Sequence, residues 1–265
     1  MSRALYGTLS VVVLIGLWQL SASLFDSAFV LPSPTLALRS LSRIVNEMQT
    51  YRIIAMSLSR LAVAFSIAFF IGTASGVLAG ESSRADALLQ PLVIGLRTIP
   101  VASVIVIVLI VVGRSLAVYP ITFLMLYPIF HEGAKRGIHA IDSDLLDASA
   151  LERVSYPRKL FRLKLPLAAP YVKTASLQSL GLGFKVLVMA EFIAQVDTSI
   201  GRALYIASLR VEYADVFAWT IILIVIVFVI DALVNALGAS SERGPGHVRK
   251  NLFKPQRNRR IFPEK

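Results

Sequence analysis

The 265-residue sequence contains no cysteine and only three histidines. A disulfide, a thiol nucleophile and a cysteine-held metal cluster are therefore excluded, and thiols give no clue to the redox compartment. His131 and His139, with Glu132 between them, lack the H-E-x-x-H spacing of a zinc helix and read instead as a solvated face. There is no G-x-x-x-x-G-K-[ST] run, so the chain binds no ATP by that route, and no G-x-S-x-G nucleophile elbow. Gly181 and Gly183 have neither a preceding strand nor the full spacing of a dinucleotide fingerprint, and read as packing glycines. Charge is scarce too, at 16% of residues, against 56% hydrophobic. A mean hydropathy of +0.71 excludes an ordinary soluble domain.

The apolar residues gather into stretches of about 20, the length that crosses roughly 30 Å of hydrocarbon as a helix. An open strand cannot satisfy its backbone in lipid, so even the β-branched run Val104–Val112 is assigned to a helix, and the fold class is all-α and polytopic. Six spans are expected, at about 5–25, 57–80, 88–112, 116–130, 169–194 and 216–237. The first resembles a signal peptide in having small residues at Ser21-Ala22-Ser23, but its length and the later spans favour an uncleaved anchor. Leu31-Pro32-Ser33-Pro34 breaks the chain before an amphipathic surface helix over 35–51. Gly72, Ala74, Ser75, Gly76 and Gly80 form a close-packing face on the second span. A transmembrane domain over 1–239 and a basic tail over 240–265 follow from these boundaries, the tail being expected to be disordered.

Lys+Arg number 27 against 16 Asp+Glu, for a net charge of +11. In a polar chain that would suggest nucleic acid. Here the basic residues concentrate in the 131–166 stretch (Lys135, Arg136, Arg153, Arg158, Lys159, Arg162, Lys164) and in the tail, which is positive-inside topology with no nucleic-acid partner. Both termini and the long loop are thereby placed in the cytoplasm, with anionic lipid a contact for the tail.

Five charged positions within the spans or at their ends bear on function. Lys185 falls near the middle of the fifth, where a charge costs about 2.5–3.5 kcal/mol on insertion scales. It either faces a translocation path and attracts an anion, or pairs with a carboxylate, or snorkels. Glu191, six residues on, is not an obvious same-helix partner and is the second path candidate. Arg60 and Arg97, near span ends, read as interfacial anchors, and Asp231 reads as one half of a helix–helix ion pair.

In the 131–166 loop, Asp142-Ser143-Asp144 supplies cap residues and first-turn acids for a short helix continuing through Glu152. Ser155-Tyr156-Pro157 starts a second, with Leu160, Phe161 and Leu163 set among basic residues, and Leu165-Pro166 is expected to end it at the membrane. The object is a helix-turn-helix knob, suited either to a groove in a partner or to lipid headgroups.

Asp147-Ala148-Ser149, position 153 and Leu165-Pro166 resemble, in type and spacing, the EAA loop of ABC importer permeases. Trp18, Leu31-Pro32-Ser33-Pro34, Ser57-Leu58 with Arg60, Arg97 with Pro100, Gly137-Ile138 with Ile141-Asp142, Ala190-Glu191 and Asp231 fall where permeases of the nitrate, sulfonate and taurine type carry similar residues. The likeness covers about Leu5 to Leu237 and departs at Asp147, where the family has glutamate, and at Arg153, where it has glycine. It implies a type I importer fold in a prokaryotic inner membrane. ATPase coupling would run through Asp147, Ala148, Ser149, Leu151, Arg153, Ser155, Leu165 and Pro166. The implied partners are a second copy of the chain, an ATP-binding ABC subunit holding the only ATP, and an extracytoplasmic solute-binding protein. A small anion such as a sulfonate, taurine or nitrate is the implied solute, and uncharged or heterocyclic vitamin precursors remain open. From the residues alone, a gradient-driven transporter using Lys185, Glu191 and Asp231 also remains open.

Overall fold

A computed structural model describes residues 3–25, 31–151 and 155–241, and their side chains except at 3–4, 148–151 and 234–241. Among the described residues there are helices and no strands. They run in chain order as α1 (Arg3–Phe25), α2 (Pro34–Asn46), α3 (Met48–Glu81), α4 (Ser83–Thr98), α5 (Val101–Val112) and α6 (Val118–His139). After these come α7 (Ser143–Leu151), α8 (Tyr156–Lys159), α9 (Leu165–Ala194), α10 (Ile200–Leu209) and α11 (Tyr213–Ser241). Four helices among the described residues are long and apolar enough to cross a membrane: α1, α3, the continuous helix Tyr156–Ala194 and α11. A fifth span is reached if α4 and α5 count together.

The expected six spans are thus not all met by length and composition. The third segment is bent by 103° between α4 and α5, where Pro100 lacks the amide to continue the ladder and holds Ile99 extended. The fourth continues to His139, and its last turns carry Glu132, Lys135 and Arg136.

The centre is a sheaf of α3, α6 and α9, brought close by glycines. A Cβ added at Gly76 would lie 2.2 Å from the His131 carbonyl oxygen, and one at Gly72 would lie 2.7 Å from Phe130 Cβ. The small-residue face expected on the second span is therefore a contact face at Gly72, Gly76 and Gly80, whereas Ala74, counted with them, is exposed. Phe65 and Phe69 meet Phe130 edge-on with ring centres 5.2 and 5.5 Å apart, closing the layer below. Gly183 packs on Leu126 and Leu61, whereas Gly181 faces open space and is not the packing glycine the sequence suggested.

His131 also departs from expectation. It is buried rather than solvated, because α6 continues past the apolar run, and its Nδ1 lies 2.9 Å from Ser75 Oγ. The surface helix is met as α2, capped by Ser33, with Ala37 and Ile44 buried and its flank packed on α11, but it stops at Asn46, where Glu47 turns extended, and 48–51 belong to α3. Trp18 holds α1 to this end of the molecule, donating from Nε1 to the Pro32 carbonyl at 3.0 Å and stacking on Phe217 at 5.1 Å. Trp18→Leu is expected to loosen α1 while leaving the α3–α6–α9 sheaf folded, read as faster protease cleavage after residue 25 with an unchanged thermal midpoint.

Candidate functional site

Both ends of the bundle carry organised polar structure. At the loop end, Asp142 Oδ1 accepts from the Asp144 amide at 3.1 Å and starts α7. Asp147 and Leu145 are exposed on it. The backbone of Ala148, Ser149 and Leu151 is helical, and Arg153 lies outside the described residues. Ser155 is exposed and stands at the N-cap of α8 in extended conformation, its carbonyl accepting from the Lys159 amide at 3.0 Å. Lys159 Nζ donates to the Leu146 carbonyl at 3.1 Å and ties α8 back to α7.

Leu165-Pro166 does not end the helix, contrary to expectation. Residues Leu160–Lys164 form a π turn in which the Leu165 amide donates to the Leu160 carbonyl, and the chain continues unbroken from Tyr156 to Ala194. The wider turn re-registers the ladder just before Pro166, so the missing proline amide falls where the new register begins. Lys164 Nζ meets the Glu81 carboxylate at 2.5–2.6 Å, and Lys135 Nζ meets Asp86 at 2.5 Å. These partly buried pairs fasten the loop and α6 to the α3–α4 corner.

At the other end lies a buried polar knot that sequence spacing did not reveal. Glu191 is fully buried, and both its oxygens lie 2.8–2.9 Å from Ser57 Oγ. The Gly201 amide donates to Glu191 Oε2 at 3.3 Å, and the Ile200 amide donates to Ser57 Oγ at 3.1 Å. The carboxylate thus occupies the positive end of α10, a short helix the sequence did not announce. Arg60, only 7% exposed, is no interfacial anchor. Its Nη1 donates to Glu191 at 3.0 Å and to the Thr198 carbonyl at 3.1 Å, and its Nη2 to the Asp197 carbonyl at 2.9 Å. Thr198 and Gln195 take left-handed backbone conformations in this turn, and the guanidinium pins one of their carbonyls. Arg114 donates to the Ala194 and Gln195 carbonyls at 3.0 and 3.2 Å, capping the negative end of α9.

Next to the knot opens a cavity of about 700 Å3 whose wall includes Arg43, Glu47, Arg202, Arg210, Glu212 and Asp215. The Arg43 guanidinium grips Asp215 at 2.6–2.7 Å, and this hydrogen bond holds its pKa above the ordinary arginine value. Arg202 pairs with Asp197.

The two path candidates therefore sit in different surroundings, Glu191 sealed and fully engaged, Lys185 exposed. Lys185 makes no hydrogen bond or ion pair with another described residue, and lines a groove of about 470 Å3 that is otherwise apolar, with Met189, Phe192 and Phe228 among its walls. The exposed residues Tyr171, Thr174, Gln178, Leu182, Lys185 and Met189 recur every three or four positions and so form one face of α9. Asp231, expected to form a helix–helix pair, has no such partner among the described residues.

Comparison with known proteins matches residues 68–243 to the model of the binding-protein-dependent transport system inner membrane component. The chain is 26% identical over 245 residues to the "Putative aliphatic sulfonates transport permease protein SsuC" of Bacillus subtilis, covering 87% of this chain and 84% of that one. It is 33% identical over 147 residues to the bicarbonate transport system permease protein CmpB of Synechococcus elongatus, 55% of this chain and 52% of the relative. Against the nitrate import permease protein NrtB of Synechocystis it is 30% identical over 139 residues, 52% and 50% of the two chains. It thus spans about half the length of the bicarbonate and nitrate relatives. The match takes in α3 from Ala68 onward, all of α6 and α9, the α7–α8 loop and Glu191, though not its partners Ser57 and Arg60, and the chain belongs to the family of binding-protein-dependent transport system inner membrane components.

Proposed function

We propose that the chain is the membrane-spanning subunit of an ATP-driven ABC importer for a small anion, working as a homodimer with a separate ATPase and an extracytoplasmic solute-binding protein. The observation that carries the reading is the unbroken helix from Tyr156 to Ala194. A protein that grips α7 and α8 holds a lever that reaches the opposite end of the bundle without a hinge. Movement of the knob on ATP binding would therefore tilt α9 as a body and, through the Glu191 contacts, carry α10 with it. The tight pairs at Glu81–Lys164 and Asp86–Lys135 would make α3, α4 and α6 follow. ATP and its hydrolysis belong to the partner.

In this reading the coupling surface is the exposed part of the knob around Asp147, with Ala148, Ser149, Leu151, Arg153 and Ser155, and Leu165-Pro166 is where the lever enters the membrane. The loop and both termini are cytoplasmic, the charged cavity at the far end faces outward to the solute-binding protein, and the basic tail contacts anionic lipid. Lys185, a free cation on the exposed face of α9, lies on the translocation path and favours anions, in keeping with the sulfonates, bicarbonate and nitrate in the names of the relatives. Glu191 acts on the path indirectly, by holding its walls.

The test uses two exposed apolar side chains of the knob, Leu145 of α7 and Phe161 of the π turn that follows α8. Leu145→Asp with Phe161→Asp is expected to lower recovery of the ATPase with the tagged chain in mild detergent by at least about tenfold, since charges enter the centre of the contact. The thermal midpoint of the chain itself should stay put. Undiminished recovery would contradict the docking role of α7 and α8.

A further inference from the structure

A second charged position in the spans has a different environment from Lys185. Arg97 stands in the last turn of α4 and opens onto a cavity of about 380 Å3 between α4, α6 and α9. Pro128 and Ile129 of α6 and Gln178 of α9 line its inner part, midway along their helices, while Glu132 and Arg136 lie toward the loop end. Tyr171 and Thr174 complete the α9 wall.

The donor inventory of this cavity is unbalanced. Glu132 and Arg136 approach one another at 3.7 Å, and the Thr174 hydroxyl donates to the Pro170 carbonyl at 3.0 Å. The Arg97 guanidinium, the Gln178 carboxamide and the Tyr171 hydroxyl are exposed and make no hydrogen bond or ion pair with another described residue. The C-terminal end of α4 favours a cation at Arg97 but uses none of its donors. With one carboxylate answered by one guanidinium, the second guanidinium leaves the cavity a net positive charge. A planar fork with an amide and a phenol beside it is the donor set for a small oxoanion, which accepts on several oxygens at once.

We propose that Arg97, Gln178 and Tyr171 form a binding station for a small oxoanion, of the size of nitrate, hydrogencarbonate or a short alkylsulfonate, in the loop-side half of the membrane domain. The proposal rests on the small-anion importer reading and gives it a residue-level site distinct from Lys185. The cavity volume lies within the range of small-ligand pockets and leaves room for the anion with several waters. An anion crossing from the outer end would be drawn by Lys185, pass along the exposed face of α9 and pause at Arg97 before release past the Glu132–Arg136 pair.

The absence of cysteine makes a background-free test possible. The full-length chain carrying Thr174→Cys, in membrane vesicles open to reagent from both faces, is treated with 2-sulfonatoethyl or 2-(trimethylammonio)ethyl methanethiosulfonate. Each rate is divided by that of the same reagent with free 2-mercaptoethanol. The normalised anion-to-cation ratio is expected to exceed one, to fall at least about tenfold in Arg97→Gln and to be largely kept in Arg97→Lys. Added sodium nitrate or ethanesulfonate should slow the reaction in the chain with Arg97 and not in Arg97→Gln. A ratio unchanged by Arg97→Gln, no slowing by either salt, or an introduced thiol inert to both reagents would overturn the proposal. The readout is local and needs no transport, so its failure is distinct from failure of the importer reading, which would show as a chain that brings no ATPase with it.

Discussion

Glu191→Ala is expected to destabilise the folded chain by about 3–5 kcal/mol, the range for removing one partner of a buried ion pair. The cost comes less from the lost attraction than from what remains behind. Arg60 would keep its two carbonyl partners at Thr198 and Asp197 but stand buried without a counter-charge, and the Gly201 amide would lose its acceptor. The effect should appear as a drop in the thermal midpoint in detergent and as increased proteolysis of the 195–199 turn. Glu191→Gln, which keeps the shape and one acceptor oxygen, should cost less. Arg60→Met combined with Glu191→Leu should cost less than the sum of its singles, because the two groups share one interaction. An unshifted midpoint in Glu191→Ala would mean that the knot does not hold the α9–α10 end together.

Gly76→Leu is expected to have an effect of similar size by a different route. The obstruction is the His131 backbone carbonyl, 2.2 Å from where the Cβ would stand, with Ala134 Cβ at 2.9 Å. Neither is the far end of a flexible side chain, so α3 and α6 must part along their length, opening the layer that holds Phe65, Phe69 and Phe130 together. Overpacking in a close-packed site typically costs about 1–3 kcal/mol, and at a backbone contact the upper end applies. Gly181→Ala is the matched control, since a Cβ there meets nothing within 4 Å. It should be neutral or raise the midpoint slightly through helix propensity, worth about 1 kcal/mol. If both variants behaved alike, the close approach of α3 and α6 would be wrong.

How far the sequence carried can be seen at particular residues. Hydropathy found the long spans because length and apolar content are local properties, and the small residues at 72, 76 and 80 announced their packing face for the same reason. Local signals failed where one element answers another. Arg60 and Glu191 are separated by 131 positions, and nothing in either neighbourhood says that they meet; one therefore reads as an anchor and the other as a path residue. The ten-residue α10 is too short to register as a span. Its start was nonetheless available in Ser199, whose hydroxyl accepts from the Arg202 amide at 3.0 Å. Leu165-Pro166 misled because proline usually stops a helix, and the π turn that accommodates it has no sequence signature of its own. That error matters most for function, since a break at Pro166 would have uncoupled the knob from the span.

The loop itself was legible in outline: two helices, a serine before the second, and a cluster of basic and apolar residues. Arg153, where the family resemblance would put glycine, lies outside the described residues. The candidate path residues divided once packing was known. Lys185 stands exposed with no partner among the described residues, whereas Glu191 is buried and fully engaged.

The central claim is that this chain is driven by a separate ATPase through the knob. It is tested most directly by purifying the tagged full-length protein from its native membrane in mild detergent and identifying its companions by mass spectrometry. An ABC ATPase recovered with the chain, lost in Leu145→Asp with Phe161→Asp, is the result the account predicts. Recovery of the chain alone, from a preparation that retains other known membrane complexes, would contradict it.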